Sequence, residues 1–400
     1  MREMNLPEGW KWVRLGEVSE ITTGKSNVED AVDNGLYPLF DRSLQIKRSN
    51  KYIFNTEAVI IPGESQDFIP KYYIGKFDLH QRAYAIFNFH KYIYGKYLYY
   101  VLHLANKQLI RQSVGTTVIS LRLPHIQNIQ IPLPPLPQQK KIAEILETVD
   151  KIIEKTEKII EKYKRIKQGL MQELFTKGID ENGKIRDEKT HRFKDSPIGR
   201  IPEEWEVVRL GEVVEKVKAG GTPTTSISEY YQNGNIPFVK IEDLTYNGKY
   251  LKSTMLKITE KGLKSSSAWL VPKNSLLFGM YGSLGEISIN KIEVATNQAI
   301  LGIVPNSESV DLEYLYYWFF YFKPNWHLYA KTTTQANLTK EIIENFLIPL
   351  PPLPEQERIA QTLSQIDKVI ESEQKYKQKL ESLKRGLMED LLTGRLRVNF

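Results

Sequence analysis

The residues best able to do chemistry in this sequence are polar side chains scattered through its loops, and none of them forms a catalytic constellation. No G-x-x-x-x-G-K-[ST] loop is present to cradle phosphates. No Asn-Pro-Pro or Asp-Pro-Pro followed by an aromatic is present to hold a flipped base. Phe278–Gly285 (FGMYGSLG) is glycine-rich like a cofactor loop, but no helical pattern with a downstream acidic partner follows it. It reads as a turn or close-packed strand region. The six histidines lack metal-ligand spacing, and the absence of cysteine excludes disulfides and Cys-based metal sites. No metal and no cofactor is expected. The chemistry left is recognition. A net charge of +7 and a pI of about 9.0 favour a polyanionic partner, because Lys and Arg neutralise phosphates and release counterions.

Such side chains need a frame, and the frame is a repeat. Ile131–Gly178 (IPLPPLPQQKKIAEILETVDKIIEKTEKIIEKYKRIKQGLMQELFTKG) returns at Ile348–Arg395 as IPLPPLPEQERIAQTLSQIDKVIESEQKYKQKLESLKRGLMEDLLTGR, without a gap, at an offset of 217 residues. The register persists upstream. Tyr97–Tyr100 (YLYY) recurs at Tyr314–Tyr317, His80-Gln81 matches Asn297-Gln298, and Gly115-Thr116-Thr117 matches Thr332-Thr333-Thr334. Near the start of each half the offset is 195, with Val13–Val18 (VRLGEV) matching Val208–Val213. The second half therefore carries 22 extra residues, placed between Gly220 and Leu276.

In both copies the prolines lack N–H donors and restrain their predecessors, so each lead-in is extended and the first helix begins just after Pro137. Ile142, Ile145, Val149, Ile152, Thr156, Ile159, Tyr163, Ile166, Leu170 and Glu173/Leu174 then step by three and four, which predicts a coiled-coil seam. Ile359, Leu363, Ile366, Ile370, Tyr376, Leu380, Leu383, Leu387 and Leu391 repeat it. A helix of about 38 residues is roughly 57 Å long. Neither helix can bury its apolar stripe alone, so the two are expected to pack antiparallel on each other.

The expected class is α+β: two globular domains separated by two long antiparallel coiled-coil helices, with an internal pseudo-twofold repeat. The boundaries read as 1–130 for the first globular domain, 131–178 for the central helical spacer, 179–200 for an exposed charged linker, 201–347 for the second domain and 348–400 for the distal spacer. The aromatic runs Tyr94–Tyr100 and Tyr314–Phe322 have helical spacing and are expected in the cores. No run is long enough to span a bilayer, which takes about 20 residues. With no signal-peptide-like start, this suits a cytoplasmic protein.

The paired I-P-L-P-P-L-P-x-Q…I-A…D…G-L-M…L-L-T-G segments resemble the conserved regions of specificity (S) subunits of type I restriction–modification systems. Phe193–Leu210 (FKDSPIGRIPEEWEVVRL), Gly220-Gly221-Thr222-Pro223 and Gly234-Asn235-Ile236-Pro237 resemble the start of their second target-recognition domain. The resemblance covers essentially the whole chain. It implies a non-catalytic DNA reader whose two recognition domains each read one half of a bipartite asymmetric site. The helices would set the gap and dock two modification (methyltransferase) subunits, with restriction subunits joining through that complex. By resemblance, the docking positions are Pro134, Pro135, Gly169, Leu170, Met171, Pro351, Pro352, Gly386, Leu387 and Met388.

Arg and Lys suit guanine, Asn and Gln suit adenine, and Ser or Thr serve base edges or phosphates. On that chemistry the candidate DNA contacts of the first domain are Thr22, Thr23, Lys25, Ser26, Arg42, Gln81, Arg82, Thr116, Thr117 and Ser120. Those of the second are Lys218, Thr222, Thr224, Thr225, Lys240, Tyr281, Ser283, Asn297, Gln298, Thr333, Thr334, Gln335 and Asn337. Two rival readings have their own marks. A self-contained methyltransferase or nuclease would bind cofactor alone, and a coiled-coil adaptor would bind proteins and retain no DNA.

Overall fold

A computed structural model describes residues 6–113, 119–332 and 336–398. The chain divides into two compact units, one running to Ile159 and resuming at Glu373, the other spanning Ile160–Ser372. Two 41-residue helices, the central helix Leu136–Thr176 and the distal helix Leu353–Thr393, contribute to both. Each starts with Leu-Pro, slightly before the expected point, because proline's missing N–H costs nothing in a first turn. No helix among the described residues is long and apolar enough to cross a membrane.

In the first unit, β1 (Glu20–Thr23), β2 (Tyr37–Phe40), β3 (Lys47–Ser49), β4 (Phe54–Pro62), β5 (Lys71–Leu79) and β6 (Ala83–Phe87) form one sheet in the order β1-β6-β4-β5-β2-β3. Its pairings are antiparallel except β2 with β5, where Leu39 faces Asp78. Alternation along β4 fills two cores. Ala58 and Ile60 join Phe40, Phe77 and Leu79 on one face. Val59 and Ile61 meet Tyr97, Leu98 and Val101 of the head helix Gly95–Leu104 on the other. That second core continues into Ile142 and Leu146 of the central helix and Leu391 and Leu392 of the distal helix.

The second unit repeats the plan with interruptions. It has β7 (Val214–Ala219), β8 (Ile236–Val239), β9 (Leu256–Ile258), β10 (Leu276–Gly279), β11 (Ile287–Asn290), β12 (Val294–Thr296) and β13 (Ile300–Pro305). β7, β13, β10 and β11 neighbour one another in one sheet, and β9, β8 and β12 in another. The long β5 of the first head is thus broken here into β11 and β12. The parallel pairing survives, with Phe238 facing Ala295 as Leu39 faces Asp78. Most of the inserted residues are now placed. The β2–β3 connection is residues 41–46, whereas the β8–β9 connection is 240–255 and holds the helix Ile241–Asn247 and strand Tyr250–Leu251. A helix Glu260–Lys264 and strand Leu270–Val271 follow.

The repeated sequence motifs turn out to be one joint built twice. Each proline lead-in is a strand, Gln130–Leu133 pairing with Lys11–Arg14 and Leu347–Leu350 with Glu206–Arg209. Tyr97 donates its hydroxyl to the Pro132 carbonyl at 2.8 Å, and Tyr314 to Pro349 at 2.9 Å. The motif glutamine is buried in both copies. Gln139 accepts from the Tyr94 N–H and donates to the Tyr92 and Pro134 carbonyls. Gln356 accepts from the Asp311 N–H and donates to the Ser309 and Pro351 carbonyls.

Two expectations need correction. The seam uses Ile142, Leu146, Val149, Ile153, Thr156, Ile160, Tyr163 and Lys167, so one of its two columns is displaced by a residue. Ile159 and Ile166 face outward at 41% and 42% exposure, as do Tyr376 at 48% and Leu383 at 52% in the distal helix. The displaced column carries ion pairs that apolar residues could not make. Lys384 pairs with Asp150 and Lys377 with Glu157 in the first unit, and Lys167 pairs with Asp367 in the second. The pairings are antiparallel in both units. The segment 179–200 is also no exposed linker throughout. Ile179 and Arg186 are buried, and Phe193–Ser196 pairs with Gly199–Pro202 as a hairpin.

Candidate nucleic-acid interface

In the first head the site grows from the β5–β6 turn, residues 80–82. The loop after β1 passes directly over it: a Cβ on Gly24 would lie 1.7 Å from the Leu79 carbonyl oxygen, so only glycine fits there. The Ser26 N–H then donates to Leu79 O at 3.1 Å and the Gln81 N–H to Ser26 O at 2.9 Å. The Gln81 side-chain amide donates to the Asn27 side-chain oxygen and stays exposed. Beside it, Arg42 and Arg82 converge on Glu64 at 3.5 and 2.9 Å. Both arginine side chains stay more than half exposed. The backbone of Glu64 bridges Ser120, which brings that residue to the same rim. His80, under the turn, accepts the Arg82 N–H at 3.0 Å. Burial pushes its pKa below the ordinary histidine value, so it remains a neutral acceptor.

Gln81, Arg82, Arg42 and Ser120 are therefore brought together, and exposed Lys25 lies between Gly24 and Ser26 on the overlying loop. Thr22 and Thr23 are exposed on β1. Ser26 is a correction: at 1% exposure its hydroxyl donates to both Asp78 oxygens at 2.8 Å, which leaves it inside the head. Thr116 and Thr117 lie outside the described residues.

The second head builds the same place at the β12–β13 turn. A Cβ on Gly220 would lie 1.9 Å from the Thr296 carbonyl oxygen, and the Gly221 N–H donates to that oxygen at 3.0 Å. Thr222 donates its hydroxyl to the Gln298 side-chain oxygen. Burial raises the Tyr281 phenol, and neighbouring Gln298 pulls it the other way. Asn297 accepts the Ala299 N–H at 3.1 Å, and its own N–H reaches Val239 O, which places Lys240 alongside.

Thr222, Tyr281, Asn297, Gln298 and Lys240 thus share one rim. The Leu338 N–H donates to Met280 O, which sets Asn337 beside Tyr281, with its side-chain oxygen buried and without a partner among the described residues. Lys218 instead lies over the Trp269 ring at 5.8 Å. Thr224 and Thr225 are exposed on the loop beyond, and Ser283 is half-buried in the β10–β11 turn. That turn is where the glycine-rich stretch falls, with Gly285 against Trp326. Thr333, Thr334 and Gln335 lie outside the described residues. Two organising residues were missed in the sequence reading, Asn27 and Glu64. An acid on such a rim carries no sequence signal of its own, since its role depends on the arginines it holds.

The docking positions expected by resemblance split by exposure. Pro135, Pro352, Gly169 and Gly386 are exposed, and Leu170 and Leu387 are partly so. Pro134, Pro351, Met171 and Met388 are corrections. All four are buried, the methionines in the cores of their own units, where an unbranched side chain fills gaps between helices and head.

Residues 7–165 and 202–382, one stretch per half, match the type I restriction modification DNA specificity domain. The chain is similar to the type I restriction enzyme MjaVIII specificity subunit of Methanocaldococcus jannaschii, with 31% identity over 100% of this chain and 95% of that protein. It is also similar to the EcoDI specificity subunit of Escherichia coli, with 26% identity over 90% of this chain and 82% of that one. Among solved structures, the type I restriction–modification S subunit from M. genitalium shares the fold, with a TM-score of 0.63 at 16% identity over 98% of this chain and 97% of that one. The chain belongs to the type I restriction–modification DNA specificity family.

Proposed function

We propose that this chain is the sequence-reading subunit of a type I restriction–modification complex. Each head reads one half of a bipartite, asymmetric DNA site through the rim around its β5–β6 or β12–β13 turn. The observation that carries this reading is the same glycine-floored, amide-bearing turn built in both heads, inside the two stretches that match the family. The long helices set the gap between half-sites and offer docking positions for two modification subunits, through which restriction subunits join. The chain itself does no catalysis: methyl transfer and ATP-driven cleavage belong to its partners, in the cytoplasm. The family-level boundaries follow, with recognition domains at 1–130 and 201–347, helical regions at 131–178 and 348–400, and 179–200 between. Co-expression with a modification subunit and genome-wide mapping of modified adenines tests this. A two-part motif with a fixed gap is expected, with affinity falling steeply across a salt series. Equal binding to all duplexes across that series would refute it.

A further inference from the structure

We infer that Gln81 and Gln298 are matched base readers, each taking the major-groove edge of one adenine in its own half-site. The inference rests on the DNA-reading role proposed above. The two glutamines are related by the 217-residue offset and stand at the same place in a turn that the second head preserves despite its broken strand and inserted helices. Both are exposed. Both turns are overlaid by a loop whose glycine passes so close to the backbone just before the turn that a Cβ there would lie 1.7 or 1.9 Å from a carbonyl oxygen, a closeness that any side chain would forbid. From that loop a different residue reaches each glutamine: Asn27 takes an N–H of Gln81, and Thr222 donates to the oxygen of Gln298. The tether limits the rotamers that binding would otherwise have to freeze.

The tethers also leave the right groups free. Gln81 keeps one N–H and its whole carbonyl oxygen. Gln298, whose oxygen accepts from Thr222, keeps the other lone pair of that oxygen and an N–H beside it. One donor beside one acceptor is what adenine's N7 and N6 require of a bidentate side chain. The next residue then differentiates the heads. Arg82, held by Glu64, sets a guanidinium beside Gln81, whereas Ala299 sets only a methyl beside Gln298. A shared reader with unlike neighbours gives two half-sites that agree at one base pair and diverge beside it.

The test uses the full chain in complex with its modification subunits, mapping modified adenines genome-wide for wild type, Gln81→Ala, Gln298→Ala and Gln81→Glu. Gln81→Ala is expected to relax a single base pair of one half-site, with discrimination there falling roughly 5- to 150-fold. Gln298→Ala should do the same in the other half-site only. The half-site left untouched is read by the same molecule, so its retention reports a folded, assembled complex. The isosteric Gln81→Glu can only accept, and should move the preference at that position toward cytosine. An unchanged motif in both alanine variants overturns the inference. So does a uniform loss at all positions, or loss of all modification by Gln81→Ala and Gln81→Glu with an unaltered melting temperature. A wild-type complex with no two-part motif would instead sink the underlying DNA-reading proposal.

Discussion

Glu355→Gln is a one-atom change that the first repeat already carries, yet it should be severe in the second. The equivalent residue Gln138 meets a single donor, the Trp10 indole N–H at 2.8 Å. Glu355, at 1% exposure, meets four: two from the Arg186 guanidinium, the Trp205 indole N–H at 3.2 Å and the Ile179 N–H at 2.9 Å. An amide in its place offers one acceptor oxygen and points its own N–H groups at the remaining donors. It also strands Arg186, itself buried at 8% exposure, whose other carboxylate neighbour Glu204 is 3.7 Å away and largely in solvent. Breaking a buried pair in this way costs about 3–5 kcal/mol. That is roughly two to three and a half decades in the folding equilibrium of the unit that holds it. The assay is denaturant unfolding followed by tryptophan fluorescence, with Trp205 reporting from beside the pair. Arg186→Met combined with Glu355→Gln should recover at least half of the loss, because the double variant removes the stranded charge. The reasoning fails if Glu355→Gln costs less than about 1 kcal/mol, the worth of an ordinary neutral hydrogen bond.

The other predictions follow the same physics. Burial, with help from Lys384, pushes the His103 pKa down to about 4. The folded value lies below the unfolded one of about 6.5, so the stability linked to the neutral ring is present above that pH and lost as pH falls toward 4, by up to about 3 kcal/mol. His103→Gln should flatten the melting-temperature curve across that window, and an unchanged slope would refute the assignment. Lys384→Met should cost about 1–2 kcal/mol by leaving Asp150, among the described residues, with the Tyr100 hydroxyl alone. Asp150→Asn in the same chain should then cost less than it does alone, as a double-mutant cycle in urea would measure. Inserting one heptad into both long helices should change the gap of the modified motif while preserving its half-sites, and an unaltered gap would exclude the helices as the spacer.

Much of the fold was legible because the repeat is gap-free where it matters. Tyr97–Tyr100 and Tyr314–Tyr317 announced a core helix, and both tyrosine pairs are buried. The seam was misread by one column because Ile152–Ile153 and Ile159–Ile160 offer two adjacent isoleucines each, and periodicity alone cannot choose between neighbours. What decides is Lys167, whose partner Asp367 is 200 residues away. Arg186 was invisible for the same reason, since nothing local marks it as the partner of Glu355. At the rim, Gln81 and Gln298 were legible as a matched pair. Ser26 was not separable from its exposed neighbours, because a hydroxyl suits a buried aspartate as well as a phosphate.

The charged positions that defeated the seam reading explain why the repeat folds as it does. Tyr100 and Lys384 both bond Asp150 in the first unit, and Tyr317 and Lys167 both bond Asp367 in the second. Every member of the first triad lies 217 residues from a member of the second. The tyrosine and aspartate of each triad come from one repeat and the lysine from the other, so neither repeat completes its own triad. Each aspartate bonds a head helix and the opposite long helix together, at a depth where an unmatched carboxylate or ammonium is costly. A parallel pairing, or one slipped by a turn, would strand these charges while keeping most of the apolar contacts. The leucines and isoleucines thus supply adhesion that tolerates several registers, and the triads select the antiparallel one in which each head is fastened to both helices.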